Sequence, residues 1–479
     1  MASAVEHGGR ATQDPPAPSS VPALAARTRL LLEGRIVPTL LKLAAPNVAV
    51  MMTQALVSTA DAYWVGRLGP DALAGVSLVF PLIMLMQTMS AGGMGGGVAS
   101  AVARALGGGR REDARALVVH AVVIALAMSA VFTVILVGAG PTLYRAMGGR
   151  EGALAAALTY SNIVFAGALA PWLYNTLASA VRGTGNMAVP AVATVCSGLL
   201  QLVLSPALVL GLFGAPRLGI IGAGVSMITA FGLGCVVLIL YLMSPRSLVP
   251  LALRGVRFRA PLFADILRVG APGAANTVLT NLTIVLLTGL VGPFGTYALA
   301  GYGMGARLEY LQIPLVFGFG SALVAMVGTN VGAGRIARAE RVAWVGAGLA
   351  AAMTGAIGIV AALAPSLWIG LFTSEPAVLA AGSTYLRIVG PFYGFFGLGL
   401  ALYFASQGAG RLLWPLLGGF LRLLVAAVGG WLVTRELGLG LSALYAVMAL
   451  ALVCFGTTVA LAVRGGAWRR GREVETGKG

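Results

Sequence analysis

The sequence has few of the residue types on which most enzyme chemistry depends. Its 479 residues include two histidines, His7 and His120, and two lysines, Lys42 and Lys478. Neither lysine lies in the Gly-Lys-Ser/Thr setting of a P-loop, which excludes an ATP site of that type. Two distant histidines exclude a histidine-based metal cluster or a Ser/His/Asp triad. We therefore predict no enzyme activity, no bound metal or cofactor and no ATPase subunit, and we expect an ion gradient to supply the energy.

Cysteines and charged side chains are also scarce. Cys196, Cys235 and Cys454 all lie in apolar runs, which predicts packed free thiols and no disulfide framework. Charged residues make up 10% of the chain and hydrophobic residues 58%, whereas a soluble domain carries roughly 25% charged residues. Many apolar runs reach the ~20 residues that a helix needs to cross a bilayer. We predict twelve spans, near residues 40–65, 73–98, 114–138, 153–178, 187–212, 219–243, 264–291, 297–326, 341–364, 378–405, 412–434 and 440–463. The predicted class is an all-α polytopic membrane protein.

The net charge of +17 predicts topology, not nucleic-acid binding. With the N-terminus inside and twelve spans, 24 of the 32 Lys and Arg residues fall on the cytoplasmic side. Five fall on the opposite side, and the remaining three lie at membrane depth: Arg307, Arg387 and Arg422. This imbalance follows the positive-inside rule. We therefore predict a multi-pass protein of the plasma (inner) membrane, with both termini in the cytoplasm and the lipid bilayer as its surroundings.

The chain contains an internal repeat. Residues 45–114 recur at 271–339. Ala45-Pro46 matches Ala271-Pro272 at an offset of 226 residues, whereas Gly183 matches Gly408 at an offset of 225. Composition bias alone would give scattered matches and would not hold such a register. Because six spans per half return the chain to the same side, the halves should be parallel repeats related by an axis along the membrane normal.

The repeat divides the chain into five predicted segments. They are a disordered cytoplasmic tail (1–35), an N-terminal six-helix lobe (36–243), a cytoplasmic linker (244–263), a C-terminal six-helix lobe (264–463) and a second cytoplasmic tail (464–479). The tails contain no long apolar run, and the first is rich in Ala, Pro and Ser, a composition typical of disorder.

Asp61 is the main candidate for a functional charge inside the membrane. Asn47 and Gln54 precede it at steps of seven, which places all three near one face of the first span. A polar stripe ending in a carboxylate should face protein or a water-filled cavity. The alternative is that Asp61 anchors a helix end near the lipid headgroups. Its repeat position is Leu287, so this chemistry belongs to the N-terminal half.

A second group of polar residues lies in the C-terminal half. Glu309 could bind a cationic substrate, or it could form a structural ion pair with Arg387 or Arg422. Asn276, Thr280 and Thr283 share one helical face of the seventh span. Interhelical hydrogen bonding and the lining of a substrate cavity explain that face equally well.

Several segments resemble the multidrug and toxic compound extrusion (MATE) transporters. The similarity covers roughly residues 38–463. It is carried by Leu43-Ala44-Ala45-Pro46, the run from Asp61-Ala62-Tyr63-Trp64 to Gly69, Ala72-Leu73-Ala74-Gly75, Arg182-Gly183-Thr184-Gly185 and Gln407-Gly408-Ala409-Gly410-Arg411. The resemblance implies twelve helices in two six-helix lobes around a V-shaped cavity. It further implies export of amphipathic, often cationic small molecules in exchange for H⁺ or Na⁺ by alternating access.

The resemblance also implies roles for individual residues. Asp61 matches the family's first-helix carboxylate, which is implicated in cation coupling. The positions that match its partners in some members are Tyr160, Gln201, Ser205 and Ser226. Carboxylates that other members carry on the seventh and tenth helices fall at Thr280 and Phe396, so a C-lobe Na⁺ site is not expected.

Three functions remain open. The leading hypothesis is a monomeric drug antiporter, the first alternative is a flippase of lipid-linked precursors, and the second is an integral membrane transferase. A flippase would require a basic cavity, and a transferase would require clustered catalytic groups, which the sequence lacks. H⁺ is favoured over Na⁺ because Asp61 stands as a single charge among neutral groups, whereas hard cations prefer several oxygen ligands with negative charge.

Overall fold

Helices joined by turns and short irregular segments form the part of the chain that the computed structural model describes, residues 26–251 and 257–468. Lipid offers no partner to a backbone amide, so a helix, which satisfies these groups internally, is the expected spanning element. The helices are α1 (Ala26–Glu33), α2 (Ile36–Gly66), α3 (Pro70–Gly107), α4 (Arg111–Gly138), α5 (Gly140–Ala146), α6 (Glu151–Ala166), α7 (Leu169–Gly183), α8 (Ala188–Leu210), α9 (Ile220–Met243), α10 (Ala260–Phe294), α11 (Thr296–Gly332), α12 (Ile336–Leu363), α13 (Pro365–Ile369), α14 (Pro376–Ala409), α15 (Leu413–Glu436) and α16 (Leu441–Arg464).

Eleven of these helices are long and apolar enough to cross a membrane, and α6 with α7 completes a twelfth span. The two helices of that pair meet at an angle of 46°. The sequence predicted one helix over 153–178, so the break is a correction. Its cause is Pro171, which has no N–H to donate to the carbonyl of Gly167.

The two halves of the fold share their irregularities as well as their spans. The N-lobe comprises α2–α9 and the C-lobe α10–α16. The short helix α5 begins at Gly140 and its counterpart α13 begins at Pro365, 225 residues later. The turn before α3 uses Gly69 at φ 116°, and the turn before α11 uses Gly295 at φ 101°. The two lobes therefore have the same order of elements and six spans each, which confirms the predicted all-α fold of two six-helix lobes.

A π-helical turn in α3 explains why the repeat offset falls from 226 to 225. Residues Met89–Met94 form this turn, whereas the equivalent helix α11 is α-helical from Thr296 to Gly332. A π-turn contains one more residue than the α-helical turn it replaces. The extra residue of the first copy therefore lies within α3 and leaves both helix ends in equivalent positions.

The N-terminal segment differs in part from its prediction as a disordered tail. Residues 26–33 of the predicted 1–35 tail form α1, in which Leu31 and Leu32 are buried. The α11 residue Asn330 donates its side-chain amide to the Leu31 carbonyl at 3.1 Å, and Leu31 also lies against Gly185 of the other lobe. Contact with both lobes accounts for the order of this segment. Residues 1–25, 252–256 of the predicted linker and 469–479 of the second tail lie outside the described residues.

The lobes meet in the halves of the helices nearest the termini, a region here called the seam. Glycines permit close approach: a Cβ added at Gly97 of α3 would lie 2.6 Å from the Ile266 carbonyl oxygen of α10. Arg104 of α3 forms a 2.7 Å ion pair with Asp265 of α10. Within residues 26–251 and 257–468, the hydrogen bonds between the lobes all belong to these terminus-side halves. In the other halves the described residues of the two lobes share no hydrogen bond, and side chains such as Leu56 of α2 and Val285 of α10 are exposed, which indicates a V shape that opens away from the termini.

The seam yields a prediction for Gly97→Val. The added side chain has no space against α10, so the variant should shift the population towards conformers with the seam open. Ala103→Cys, introduced after the natural cysteines are replaced by alanine, provides the probe because Ala103 is fully buried in the seam. Labelling by a maleimide added on the terminus side should accelerate by about tenfold, the effect of a shift of ~1.4 kcal/mol.

Gly289→Val is the matched control, since a Cβ at Gly289 of α10 would have no atom within 4 Å. Equal labelling rates in Gly97→Val, Gly289→Val and the parent would contradict the assignment of the seam.

Candidate functional site

The N-lobe site is built around Asp61, five residues before the end of α2 in the open half of the molecule. Gln201 of α8 donates its Nε2 amide to an Asp61 carboxylate oxygen at 2.6 Å. The two helices approach closely because Gly198 leaves space for Thr53. Ser205, one turn beyond Gln201, lies close enough to interact with the carboxylate, but its buried Oγ forms no hydrogen bond with a described residue. Asp61 thus faces protein and not the headgroup region alone.

Two other residues implied by the resemblance lie further from the carboxylate. Tyr160 of α6 is buried and interacts electrostatically with Asp61, while its hydroxyl donates to the Met227 sulfur at 3.8 Å. Ser226 of α9 donates to the Ala223 carbonyl in its own helix at 2.9 Å. Gln201 therefore contacts Asp61 directly, and Ser205 and Tyr160 lie near it. Ser226 instead forms its hydrogen bond within its own helix.

The predicted stripe on α2 is divided between three environments. Asn47 donates its side-chain amide across the seam to the Gly318 carbonyl at 3.0 Å and the Ser321 hydroxyl at 3.1 Å. Gln54 is exposed. Only Asp61 packs against α8. Asn47 therefore joins the lobes, a role that the sequence did not indicate.

The C-lobe holds a partly buried ion pair. Glu309 of α11 accepts a 2.8 Å hydrogen bond from the Arg422 guanidinium of α15 and a 3.2 Å bond from the Tyr385 hydroxyl of α14. The side chains of Glu309 and Arg422 are only 12% and 13% exposed. Arg422 also lies over the ring of Phe396, 5.4 Å from its centroid. Of the two partners considered for Glu309, the structure selects Arg422.

The polar face of α10 lies next to this pair. Thr283 lines a pocket together with Glu309 and Arg422. Thr280 donates to the Asn276 backbone carbonyl at 2.9 Å. The side-chain oxygen of Asn276 is buried and has no hydrogen-bond partner among the described residues. Within that part of the chain, no group of three His, Cys, Asp or Glu side chains could hold a metal ion.

Sequence reasoning missed a pocket between the lobes, in the seam. Its only charged lining residue is Arg182 of α7, which lies between the predicted spans 153–178 and 187–212 and was therefore assigned to a cytoplasmic loop. Gln407 of α14 lies in the same lining. The internal repeat could have pointed to this pocket, because Arg182 and Gln407 are equivalent positions at the 225 offset and the lobes meet along their equivalent helices.

The sequence profile described as MatE matches residues 46–207 and 272–432, once in each lobe. The chain belongs to the MatE family. The two matched segments begin 226 residues apart and end 225 apart, which are the offsets of the internal repeat.

The chain is also similar to several named transporters. The chain is 30% identical over 454 residues to a probable multidrug resistance protein NorM of Deinococcus radiodurans, with 89% of this chain and 92% of the relative covered. It is 26% identical to a FAD transporter of Shewanella oneidensis, with 78% and 82% covered. A solved multidrug resistance MATE transporter in an outward-facing conformation shares the fold at a TM-score of 0.83 and 24% identity, with 93% and 99% covered.

Membership of the MatE family makes the chain a multi-pass membrane transporter of the multidrug efflux class and not an enzyme. This confirms the predicted family and fold. The roles of individual residues remain predictions.

The Glu309–Arg422 pair of this MatE protein gives a stability prediction. Arg422→Ala would leave the Glu309 charge partly buried and unpaired, which costs about 3–5 kcal/mol. Glu309→Gln/Arg422→Gln removes both charges and should recover most of that loss. Chemical unfolding in detergent micelles measures the free energies.

Arg307→Ala provides the control, because Arg307 lies on the same helix as Glu309 but is exposed. If Arg422→Ala unfolds at the same denaturant concentration as Arg307→Ala, the pair has no structural role and Glu309 is better assigned to substrate binding.

Proposed function

We propose that this transporter exports small amphipathic molecules in exchange for H⁺ and that Asp61 binds the coupling ion. The observation that carries the proposal is the Asp61–Gln201 contact in the open half of the N-lobe. A carboxylate held between helices of one lobe, at the wall of the V, can meet water from the open side. Closing that side and opening the seam would give it access from the other side, which is the requirement for an ion to be carried across.

The contacts of Asp61 support H⁺ over Na⁺ as the coupling ion. Gln201 presents an N–H donor to the carboxylate, and this group cannot serve as a ligand of a cation. Hard cations take several oxygen ligands, whereas a proton requires only the carboxylate and a partner that orients it. Ser205 offers one further side-chain oxygen close to the carboxylate.

The distribution of basic residues supports the orientation of the transporter. Arg110, Arg259 and Arg335 all lie at the terminus-side ends of helices. By the positive-inside rule that side is the cytoplasm. The protein would then lie in the inner membrane with both termini in the cytoplasm, and the V described here would open to the outside.

Polar groups of the C-lobe support a mixed substrate range. Glu309 and Thr283 line a pocket next to the aromatic side chains of Tyr302 and Tyr310. Asn276 and Thr280 lie on the same face of α10 as Thr283 and would extend the polar surface for a cationic or hydrogen-bonding substrate. The names of the relatives, multidrug resistance protein and FAD transporter, support amphipathic aromatic solutes as the substrate class.

Asp61→Asn should reduce gradient-driven efflux of a cationic dye by about tenfold or more, because the amide cannot exchange a proton at membrane depth. Dye uptake into inverted vesicles measures the rate. Asp71→Asn is the matched control: Asp71 lies ten residues further along, at the exposed start of α3 on the same membrane face. Normal transport by a well-expressed Asp61→Asn variant would exclude Asp61 as the coupling site.

The identity of the ion is tested with the wild-type protein. Inverted vesicles are given either a pH gradient or a Na⁺ gradient of equal size, each with the membrane potential clamped. We expect dye uptake to follow the pH gradient and to be unchanged by Na⁺. Uptake that tracks Na⁺ and ignores pH would overturn the proposal of H⁺ coupling while leaving the export function intact.

A further inference from the structure

The pocket in the seam is lined by residues that the internal repeat makes equivalent. At the 225 offset, Arg182 corresponds to Gln407 and Ser179 to Phe404. The same offset relates Gly92 to Phe317, Gly96 to Ser321 and Ala99 to Val324, so ten of the twelve lining residues form equivalent pairs and only Ala91 and Gly95 do not. A pocket lined by such pairs lies on the axis that relates the two lobes. Any molecule bound there contacts both lobes, so its affinity depends on how far apart they are.

The charge of this pocket is not balanced. Arg182 is its only ionisable lining residue, and no carboxylate lines it. Two other arginines in the spans each meet an acid, Arg104 with Asp265 at 2.7 Å and Arg422 with Glu309 at 2.8 Å. Among the described residues, Arg182 forms no ion pair.

The contacts of Arg182 leave most of its hydrogen-bonding capacity unused. One guanidinium nitrogen donates to the Ser179 hydroxyl at 2.8 Å. The guanidinium also lies 6.0 Å from the centroid of the Phe317 ring. A guanidinium carries five N–H donors in a planar fork that matches a carboxylate or phosphate. Arg182 is half-buried and has no counter-ion in the described part of the chain, and an anion entering the pocket would supply one.

Aromatic side chains surround the same space. Phe317 of α11 and Phe404 of α14 lie edge to face, with their ring centroids 5.6 Å apart. They offer an apolar surface to a planar ring, while Arg182 offers charge to a group attached to it.

We propose that Arg182 binds the anionic group of an amphipathic aromatic solute and that the pocket on the axis of the two lobes is a substrate subsite for such anions. The inference rests on the proposed export function and extends its substrate class from cations to phosphate- or carboxylate-bearing molecules. Glu309 and Arg182 then lie in separate pockets, one in the C-lobe and one between the lobes.

Riboflavin and flavin mononucleotide form a suitable probe pair because they share one planar ring and differ by a phosphate. Binding to the purified full-length protein in nanodiscs of phosphatidylcholine is followed by quenching of flavin fluorescence. The wild type should bind the mononucleotide about tenfold or more tightly than riboflavin, a ratio equal to ~1.4 kcal/mol. Arg182→Gln should reduce the ratio to near one with little change in riboflavin affinity.

Two further variants separate a loss of charge from a loss of fold. Arg182→Lys keeps the charge and should keep a preference for the mononucleotide. Arg464→Gln removes an exposed arginine at the terminus-side end of α16 and should behave as the wild type. If Arg182→Gln weakens both flavins equally and Arg182→Lys does the same, Arg182 is structural and the proposal is wrong.

Transport and lipid controls complete the test. A wild type that exports a cationic dye but binds both flavins equally would refute the anion subsite alone, whereas failure to export either class would refute the export function itself. Phosphatidylglycerol added to the nanodiscs should leave mononucleotide binding unchanged. Displacement of the mononucleotide by this lipid would assign the pocket to a lipid headgroup and overturn its assignment to a solute.

Discussion

The close approach of α3 to α10 and α11 is the contact on which the rest of this structure depends. Gly93 and Gly97 meet the backbone of Gly273 and Gly270, and Gly107 packs against the backbone of Thr329. In a bilayer, apolar side chains gain little by leaving lipid for one another, so packing of small residues and interhelical hydrogen bonds hold helices together. The seam concentrates both at one end of the molecule. The divergence of the lobes at the other end follows from that contact.

Each lobe has one polar pair, but the two pairs lie at positions that the repeat does not make equivalent. Asp61 and Gln201 of the N-lobe correspond to Leu287 and Ala426, both buried in the apolar core of the C-lobe. Glu309 and Arg422 of the C-lobe correspond to Ile83 and Ser197 of the N-lobe, which are also buried. The scaffold is duplicated but the charged groups are not. A transporter can therefore hold chemically different groups in one cavity without a separate domain for each.

The spans and the two lobes could be predicted from the sequence because they depend on hydrophobicity and on the register of the repeat. Contacts that depend on the position of a side chain in three dimensions could not. Apolar run lengths located the spans, and the repeat located the two lobes. The bend between Ala166 and Leu169 escaped notice because the apolar composition continues through it. Two candidate partners of Glu309 could not be ranked, since sequence distance does not show which helices face one another. Arg182 was assigned to a loop from its position between two predicted spans, although its long side chain extends back into the seam. Only the family resemblance suggested contacts between residues about 100 or more positions apart, such as Asp61 with Gln201.

The π-turn at Met89–Met94 lets the two copies of the repeat differ in length by one residue. An inserted residue in an α-helix would rotate everything beyond it by about 100°, and Gly93 and Gly97 would then no longer face the partner lobe. A turn that widens by one residue absorbs the insertion locally and leaves the far end of the helix facing as before. The two lobes can therefore differ in length by one residue while the glycines of the seam still meet.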